Sequence, residues 1–94
     1  MKKTFEDDLQ IYVFTTRFVM KNNSPITFIT HDENGDWQFM SDDDFEENDA
    51  MVVSLEEMIW HDSSILEVAD LPYEHKAYRI NVNTNWITMP QKQS

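Results

Sequence analysis

The chain contains a single glycine, Gly35, which follows Asn34 between two short apolar runs. The runs, residues 26–31 and 37–40, are rich in the β-branched and aromatic side chains that favour strands. Asn-Gly is typical of a two-residue type I′ hairpin, because both central residues of that turn need a positive φ angle. The sequence therefore predicts a β-hairpin in which Glu33 faces Asp36.

This register decides which side chains of the hairpin share a face, because successive residues of a strand point to opposite sides. The more aromatic face is expected to be the core face, and it comprises Phe28, Thr30, Trp37 and Phe39. The opposite face is expected to carry Ile29, Gln38 and Met40.

The rest of the chain carries weaker strand and helix patterns. Residues 9–14, continued by the apolar residues 18–20, predict one long or bulged strand, and further strands are predicted at 50–53, 77–80 and 86–89. Ser54 can form a capping box with Glu57 at the start of a helix, and Asp62 can cap a second helix over 63–70. This order predicts the α+β class, with a mostly antiparallel sheet and two short helices inserted between the early and the C-terminal strands.

The length of the chain predicts a single domain. Its 94 residues are expected to fold as one acidic domain over 1–94, with residues 1–8 and 91–94 flexible. The longest unbroken apolar run, Ile11 to Phe14, is far shorter than the roughly 20 residues that a spanning helix needs. Because the N-terminus also turns acidic where a signal peptide needs an apolar run, a cytoplasmic protein is predicted.

Charge is distributed very unevenly. The chain has 18 Asp and Glu against 7 Lys and Arg, for a formal net charge of −11. Between Lys21 and Lys76 there is no Lys or Arg, while the same stretch holds fifteen carboxylates. Nucleic-acid binding needs clustered cations, so no nucleic acid is expected as a partner. No membrane is expected either, because the longest apolar run is only four residues, Ile11 to Phe14. The pattern favours a basic protein partner.

The acidic residues are densest in Ser41 to Asp49, between the predicted strands at 37–40 and 50–53. Six carboxylates are the candidate electrostatic contact set, namely Asp42, Asp43, Asp44, Glu46, Glu47 and Asp49, and Phe45 is a candidate apolar anchor among them. The alternative is a solvated loop whose Phe45 returns to the core. Trp60 is the best candidate for an exposed aromatic contact, with the edge of a helix face as its alternative position.

Enzymatic and metal-binding patterns are weak in this sequence. Asp32, Asn34 and Asp36 alternate as in a calcium loop, but the glycine falls at the fourth position of that loop instead of the sixth. The three histidines have no metal-ligand spacing, there is no cysteine, and one glycine cannot form a phosphate-binding loop. The sequence therefore predicts a non-enzymatic protein with no metal and no cofactor.

Several segments from about Thr15 to Trp86 form a recognisable set. They are Thr15-Thr16-Arg17, His31 to Phe39, Val53 to Glu57, Leu71-Pro72 and Ala77-x-Arg79. The set resembles a family of small bacterial proteins of unknown function that has been grouped with the immunity proteins of polymorphic toxin systems. Its most specific pieces are the Gly-Asp-Trp-Gln-Phe hairpin and the Leu-Pro that precedes Ala-x-Arg.

The chain departs from that family at two points. Asp62-Ser63-Ser64-Ile65 stands where the family has Asp-Pro-Ser-Leu, and Glu74 stands where the family has glycine. Serine is tolerated at the start of a helix, but the loss of glycine changes a turn in which a positive φ angle is expected.

The leading hypothesis combines the charge pattern with the resemblance: an immunity protein that neutralises a cognate basic toxin by binding it. The alternative is a housekeeping or regulatory interaction domain that binds another protein through an exposed sheet edge or Trp60. Whether the chain also forms homo-oligomers is left open by the sequence.

Overall fold

A computed structural model describes residues 3–91 of the chain. Six strands, two α-helices and two 3₁₀ helices follow one another within these residues. In chain order they are β1 (Tyr12–Thr16), α1 (Arg17–Asn22), β2 (Phe28–His31), β3 (Trp37–Met40), the first 3₁₀ helix (Glu47–Asp49), β4 (Ala50–Ser54), α2 (Leu55–His61), the second 3₁₀ helix (Ser63–Val68), β5 (His75–Tyr78) and β6 (Ile87–Pro90).

The strands form one sheet in the order β4-β1-β3-β2-β5-β6, and the fold is of the α+β class. The sheet is mixed, so the prediction of a mostly antiparallel sheet is corrected: β1 and β3 run parallel, with Phe14 opposite Gln38. The reason is α1, which carries the chain from the end of β1 to β2. The hairpin then returns as β3 directly beside β1 and in the same direction. The two predicted helical segments do lie between β4 and β5, as α2 and the second 3₁₀ helix.

The predicted long strand through residues 18–20 is wrong, because a helix begins at Arg17. Thr16 keeps an extended backbone, and its hydroxyl accepts a hydrogen bond from the amide of Val19. Asn23 ends the helix in the left-handed region with φ 57°, a conformation that asparagine tolerates well. The apolar residues of this segment therefore serve helix packing, with Val19 fully buried.

The hairpin between β2 and β3 is confirmed, but its turn is not of type I′. The amide of Gly35 donates to the Asp32 carbonyl at 3.1 Å, and the amide of Asp32 donates to the Asp36 carbonyl at 3.0 Å. The Asp32 carboxylate accepts from the amides of Asn34 and Asp36, both at 2.9 Å. With Gly35 at φ 85°, this is a three-residue loop whose glycine forms a bulge.

This turn shifts the register by one residue on β2 and reverses the face that β2 presents. Ile29 pairs with Phe39 and His31 pairs with Trp37, and all four of these side chains are buried. Phe28 and Thr30 lie on the opposite side of the sheet. The predicted core face is therefore right for Trp37 and Phe39 and wrong for β2.

The core lies between this buried sheet face and the helices. Val19 of α1, Leu55 and Met58 of α2, and Ile65 of the second 3₁₀ helix pack into it. As predicted, Ser54 accepts from the Glu57 amide at 3.1 Å and Asp62 accepts from the Ser64 amide at 3.0 Å, so each cap fixes where a helix begins.

The structure describes part of each terminal segment that was expected to be flexible, namely residues 3–8 and residue 91. Phe5 is buried, and its ring meets that of Trp37 edge-on with the centroids 5.0 Å apart. The amide of Gln91 donates to the Glu74 carbonyl at 2.7 Å. Residues 1–2 and 92–94, which complete these two segments, lie outside the described residues.

Glu74 has a left-handed backbone with φ 61°, at the position where the resembling family has glycine. A side chain with a Cβ atom is strained there by roughly 1–2 kcal/mol, and glycine removes that strain at some cost in unfolded-state entropy. We expect Glu74→Gly to raise the free energy of unfolding by about 1 kcal/mol, measured by urea denaturation. Glu74→Gln, which removes the charge but keeps the Cβ atom, should leave most of the strain; an equal gain in both variants would attribute it to charge instead.

Candidate functional site

The acidic loop, residues 41–49, joins β3 to β4 along one end of the sheet. β3 ends at Met40 and β1 ends at Thr16 on this same end, because the two strands are parallel. β4 begins there at Ala50, which pairs with Thr16. The topology therefore makes the acidic loop cross over the end of β1 and gathers all six predicted carboxylates at one end of the sheet.

Hydroxyl groups hold the first half of the acidic loop. The Thr27 hydroxyl donates to the Asp42 carboxylate at 2.7 Å, and the Ser41 hydroxyl donates to the Asp43 carboxylate at 2.8 Å. Hydrogen bonding from the side chain of Ser24, and then from that of Ser41, lowers the pKa of Asp43. These contacts favour the ionised form of Asp43.

Asp49 holds the second half of the acidic loop in place. Its carboxylate accepts from the Glu46 amide at 2.9 Å and from the Arg17 guanidinium at 2.6 Å. The Glu46 amide, followed by Arg17, lowers the pKa of Asp49. Asp49 thus anchors the loop to α1, and its charge is partly compensated.

The other five carboxylates of the acidic loop have no cation within 4.0 Å among residues 3–91. Lys3, Arg17 and Arg79 form the ion pairs found in that range, with Asp70, Asp49 and Asp62 respectively. The loop therefore presents a concentrated negative charge whose backbone is held in place by local hydrogen bonds.

Phe45 does not return to the core. Its side chain is 49% exposed, and it borders a groove of about 430 Å³ together with Phe28, Met40 and Tyr78. The acidic loop thereby carries an accessible aromatic ring at the edge of the sheet face that turns away from the core.

Trp60 lies elsewhere. It is 82% exposed on α2, in the layer of helices that covers the buried face of the sheet. The structure therefore brings together the loop residues, including Phe45, but does not bring Trp60 to them.

Sequence reasoning missed the outward face of the sheet. We call this the open face; its exposed apolar side chains are Tyr12, Phe14, Phe28, Val52 and Ile87. The one-residue error in the hairpin register concealed it, because Phe28 was assigned to the core. The signal that could have revealed it is Asp32, since Asp at the first position favours a type I turn over type I′.

Two residues of the histidine and carboxylate patterns, His31 and Asp32, have structural roles. His31 donates from Nδ1 to the Leu71 carbonyl at 2.7 Å and stacks on Trp37 with ring centroids 3.8 Å apart. The Asp32 carboxylate accepts the turn amides. Among residues 3–91 no group of three or more His, Asp or Glu side chains is arranged to hold a metal ion.

Comparison with known proteins adds no relative. No family model, no curated protein and no solved structure matches the chain. Within the described range, no helix is long and apolar enough to cross a membrane.

Proposed function

We propose that this chain is a non-enzymatic protein-binding domain, and specifically a cytoplasmic immunity protein that neutralises a basic toxin by covering its active-site surface. The observation that carries the proposal is the acidic loop, in which five of six carboxylates have no cationic partner among residues 3–91. Such a cluster attracts a surface of the opposite sign.

The loop has the properties that electrostatic binding requires. Hydrogen bonds lower the pKa of Asp43 and Asp49 below that of an ordinary aspartate, which is itself ionised at neutral pH, so both groups are charged when a partner approaches. The hydrogen bonds to Thr27, Ser41 and Arg17 fix the loop before binding, which reduces the entropy lost on association. Complementary charge of this kind raises association rates above the roughly 10⁵–10⁶ M⁻¹s⁻¹ of neutral pairs.

The resemblance to bacterial immunity proteins supports the same function. Two residues from the most specific pieces of the resemblance have structural roles. Trp37 lies in the core, and Arg79 is buried where β5 meets the neighbouring loops. These two residues therefore maintain the fold of this chain, and the acidic loop lies between two of the segments that carry the resemblance. The residues of such a surface loop can change to suit a different partner without disturbing the sheet and helices that hold it.

The test begins with capture of proteins from the source cells on immobilised wild-type chain. Retained proteins are identified by mass spectrometry after washing at about 50 mM and at about 500 mM NaCl, where the Debye length falls from roughly 14 Å to roughly 4 Å. We expect a basic protein that is retained at low salt and released at high salt. That protein is then purified and its affinity measured by calorimetry.

Neutralising the loop should weaken this binding by at least about tenfold at low salt and flatten its salt dependence. The loop variant replaces Asp42, Asp43, Asp44, Glu46, Glu47 and Asp49 by Asn or Gln. The control variant removes the same number of charges elsewhere, at Glu6, Asp7, Glu33, Asp36, Glu57 and Glu67. Equal affinity and equal salt dependence of the loop variant and wild type would rule out the loop as the contact.

The exposed Trp60 favours a second candidate function, a housekeeping or regulatory interaction domain. An exposed tryptophan is a frequent anchor of interfaces that depend little on salt. A captured partner that resists high salt and is lost with Trp60→Ala, while the loop variant still binds it, would support this second function over immunity.

A further inference from the structure

The open face is continuous across the sheet, because residues that pair directly between strands point to the same side. One row crosses all six strands in register. It runs from Val52 through Phe14, Gln38, Thr30 and Lys76 to Met89. A second row, nearer the acidic loop, runs through Met40, Phe28, Tyr78 and Ile87.

No helix covers this face within residues 3–91, since α1, α2 and the second 3₁₀ helix all bury their apolar residues on the other side. Val52 is 53% exposed on β4 and Phe14 is exposed beside it on β1, while Phe28 is exposed on β2 and Ile87 on the opposite edge strand β6. The middle of the first row is polar, with Gln38, Thr30 and Lys76. The apolar side chains therefore form one cluster at Val52 and Phe14 and a second along the row of Met40, Phe28, Tyr78 and Ile87. Single exposed apolar residues are common, but clusters of this kind on a sheet are typical of a binding surface.

The acidic loop forms the rim of the open face. The loop leaves the sheet directly after Met40, and Phe45 shares a groove with Phe28, Met40 and Tyr78. An apolar centre with a charged border is the usual construction of a protein interface.

We infer that the two apolar clusters of the open face are the centre of the interface whose rim is the acidic loop, and that the occupant is a protein with an apolar patch bordered by Lys and Arg. The inference rests on the proposed function, which it extends by naming the surface and the chemistry of the partner. Apolar burial at the centre slows dissociation, while the loop accelerates association.

Charge decides against a second copy of this chain as the occupant. Each copy carries a net charge of −11, so self-association would bring two strongly acidic molecules together. In the first row of the open face Lys76 is the one Lys or Arg, so the acidic loop would meet little positive charge on a second copy.

The experiment compares three variants of the full chain against the purified protein that wild type captures from its source cells. The face variant carries Phe14→Thr, Phe28→Thr and Val52→Thr, because threonine preserves strand propensity. Val52→Thr alone is the milder second variant. Tyr73→Thr is the control, because Tyr73 is 61% exposed beside the β2–β3 turn, at the end of the sheet opposite to the acidic loop. Urea denaturation establishes that each variant is folded.

We expect the face variant to bind at least about tenfold more weakly, mainly through faster dissociation, Val52→Thr to show a smaller loss, and Tyr73→Thr to bind as wild type. Unchanged affinity of the face variant and of Val52→Thr would overturn the inference while a weakened loop variant still upheld the proposed function. Loss in the face variant with unchanged binding of the loop variant would overturn both the proposed function and this inference, because the partner would then make no contact through a border of Lys and Arg. A wild-type dimer that the face variant abolishes, or the absence of any retained protein, would overturn the inference.

Discussion

Arg79→Met should lower the free energy of unfolding by about 3 kcal/mol, because it removes a buried cation that contacts three groups at once. The Arg79 side chain is 2% exposed. It donates from Nε to the Ile26 carbonyl at 2.9 Å, contacts the Asp62 carboxylate at 3.4 Å and lies over the Trp86 ring at 4.1 Å. Asp62 retains some solvent contact, which places the loss at the lower end of the range for broken buried pairs.

Two variants show whether geometry or charge is responsible for that loss. Arg79→Lys keeps the charge but lacks the planar fork that reaches Ile26 and Asp62 together, so it should recover only part of the stability. Lys76→Met removes a neighbouring cation that forms no ion pair within residues 3–91 and should change stability little. If Arg79→Met and Lys76→Met had the same urea midpoint, Arg79 would stabilise the fold only through its effect on net charge, and the contacts described above would contribute nothing measurable.

Trp37→Ala should be comparably severe, with a loss of about 3–5 kcal/mol. Trp37 is 1% exposed, and its ring lies between the rings of His31, Phe39 and Phe5, with centroids 3.8, 5.9 and 5.0 Å away. A domain of this length has a total stability of roughly 5–14 kcal/mol, so the substitution should remove between about a fifth and nearly all of it.

The same substitution at Trp60 provides the control, because Trp60 is 82% exposed and buries little apolar surface. Trp60→Ala should change the free energy of unfolding by less than about 0.5 kcal/mol. The melting temperatures of Trp37→Ala and Trp60→Ala are compared by thermal denaturation followed by far-ultraviolet circular dichroism. Similar melting temperatures for the two variants would mean that Trp37 does not organise the core.

Local sequence signals predicted the starts of several elements. Ser54 and Asp62 both cap helices where the capping residues indicated, and the Asn34-Gly35 pair does mark a hairpin. Each of these signals depends on hydrogen bonds within a few residues, which a sequence displays directly. The cap at Thr16 is of the same kind and was missed, because strand propensity on both sides outweighed it.

The sheet could not be predicted in the same way. The parallel pairing of β1 with β3 depends on where α1 places the chain, and the register of β2 depends on one additional residue in the turn. A shift of one residue reverses a whole strand face. The acidic loop was therefore evident from composition, whereas the open face beside it became evident only from the register.

The most direct measurement of the proposed function is the growth of bacteria that express the captured basic protein. We expect that protein alone to arrest growth, and co-expression of the wild-type chain to restore it. The loop variant, produced at the same level and folded, should restore growth poorly, because the carboxylates that attract the toxin are gone. Growth unaffected by the captured protein, or equal protection by wild type and the loop variant, would contradict an immunity function based on the acidic loop.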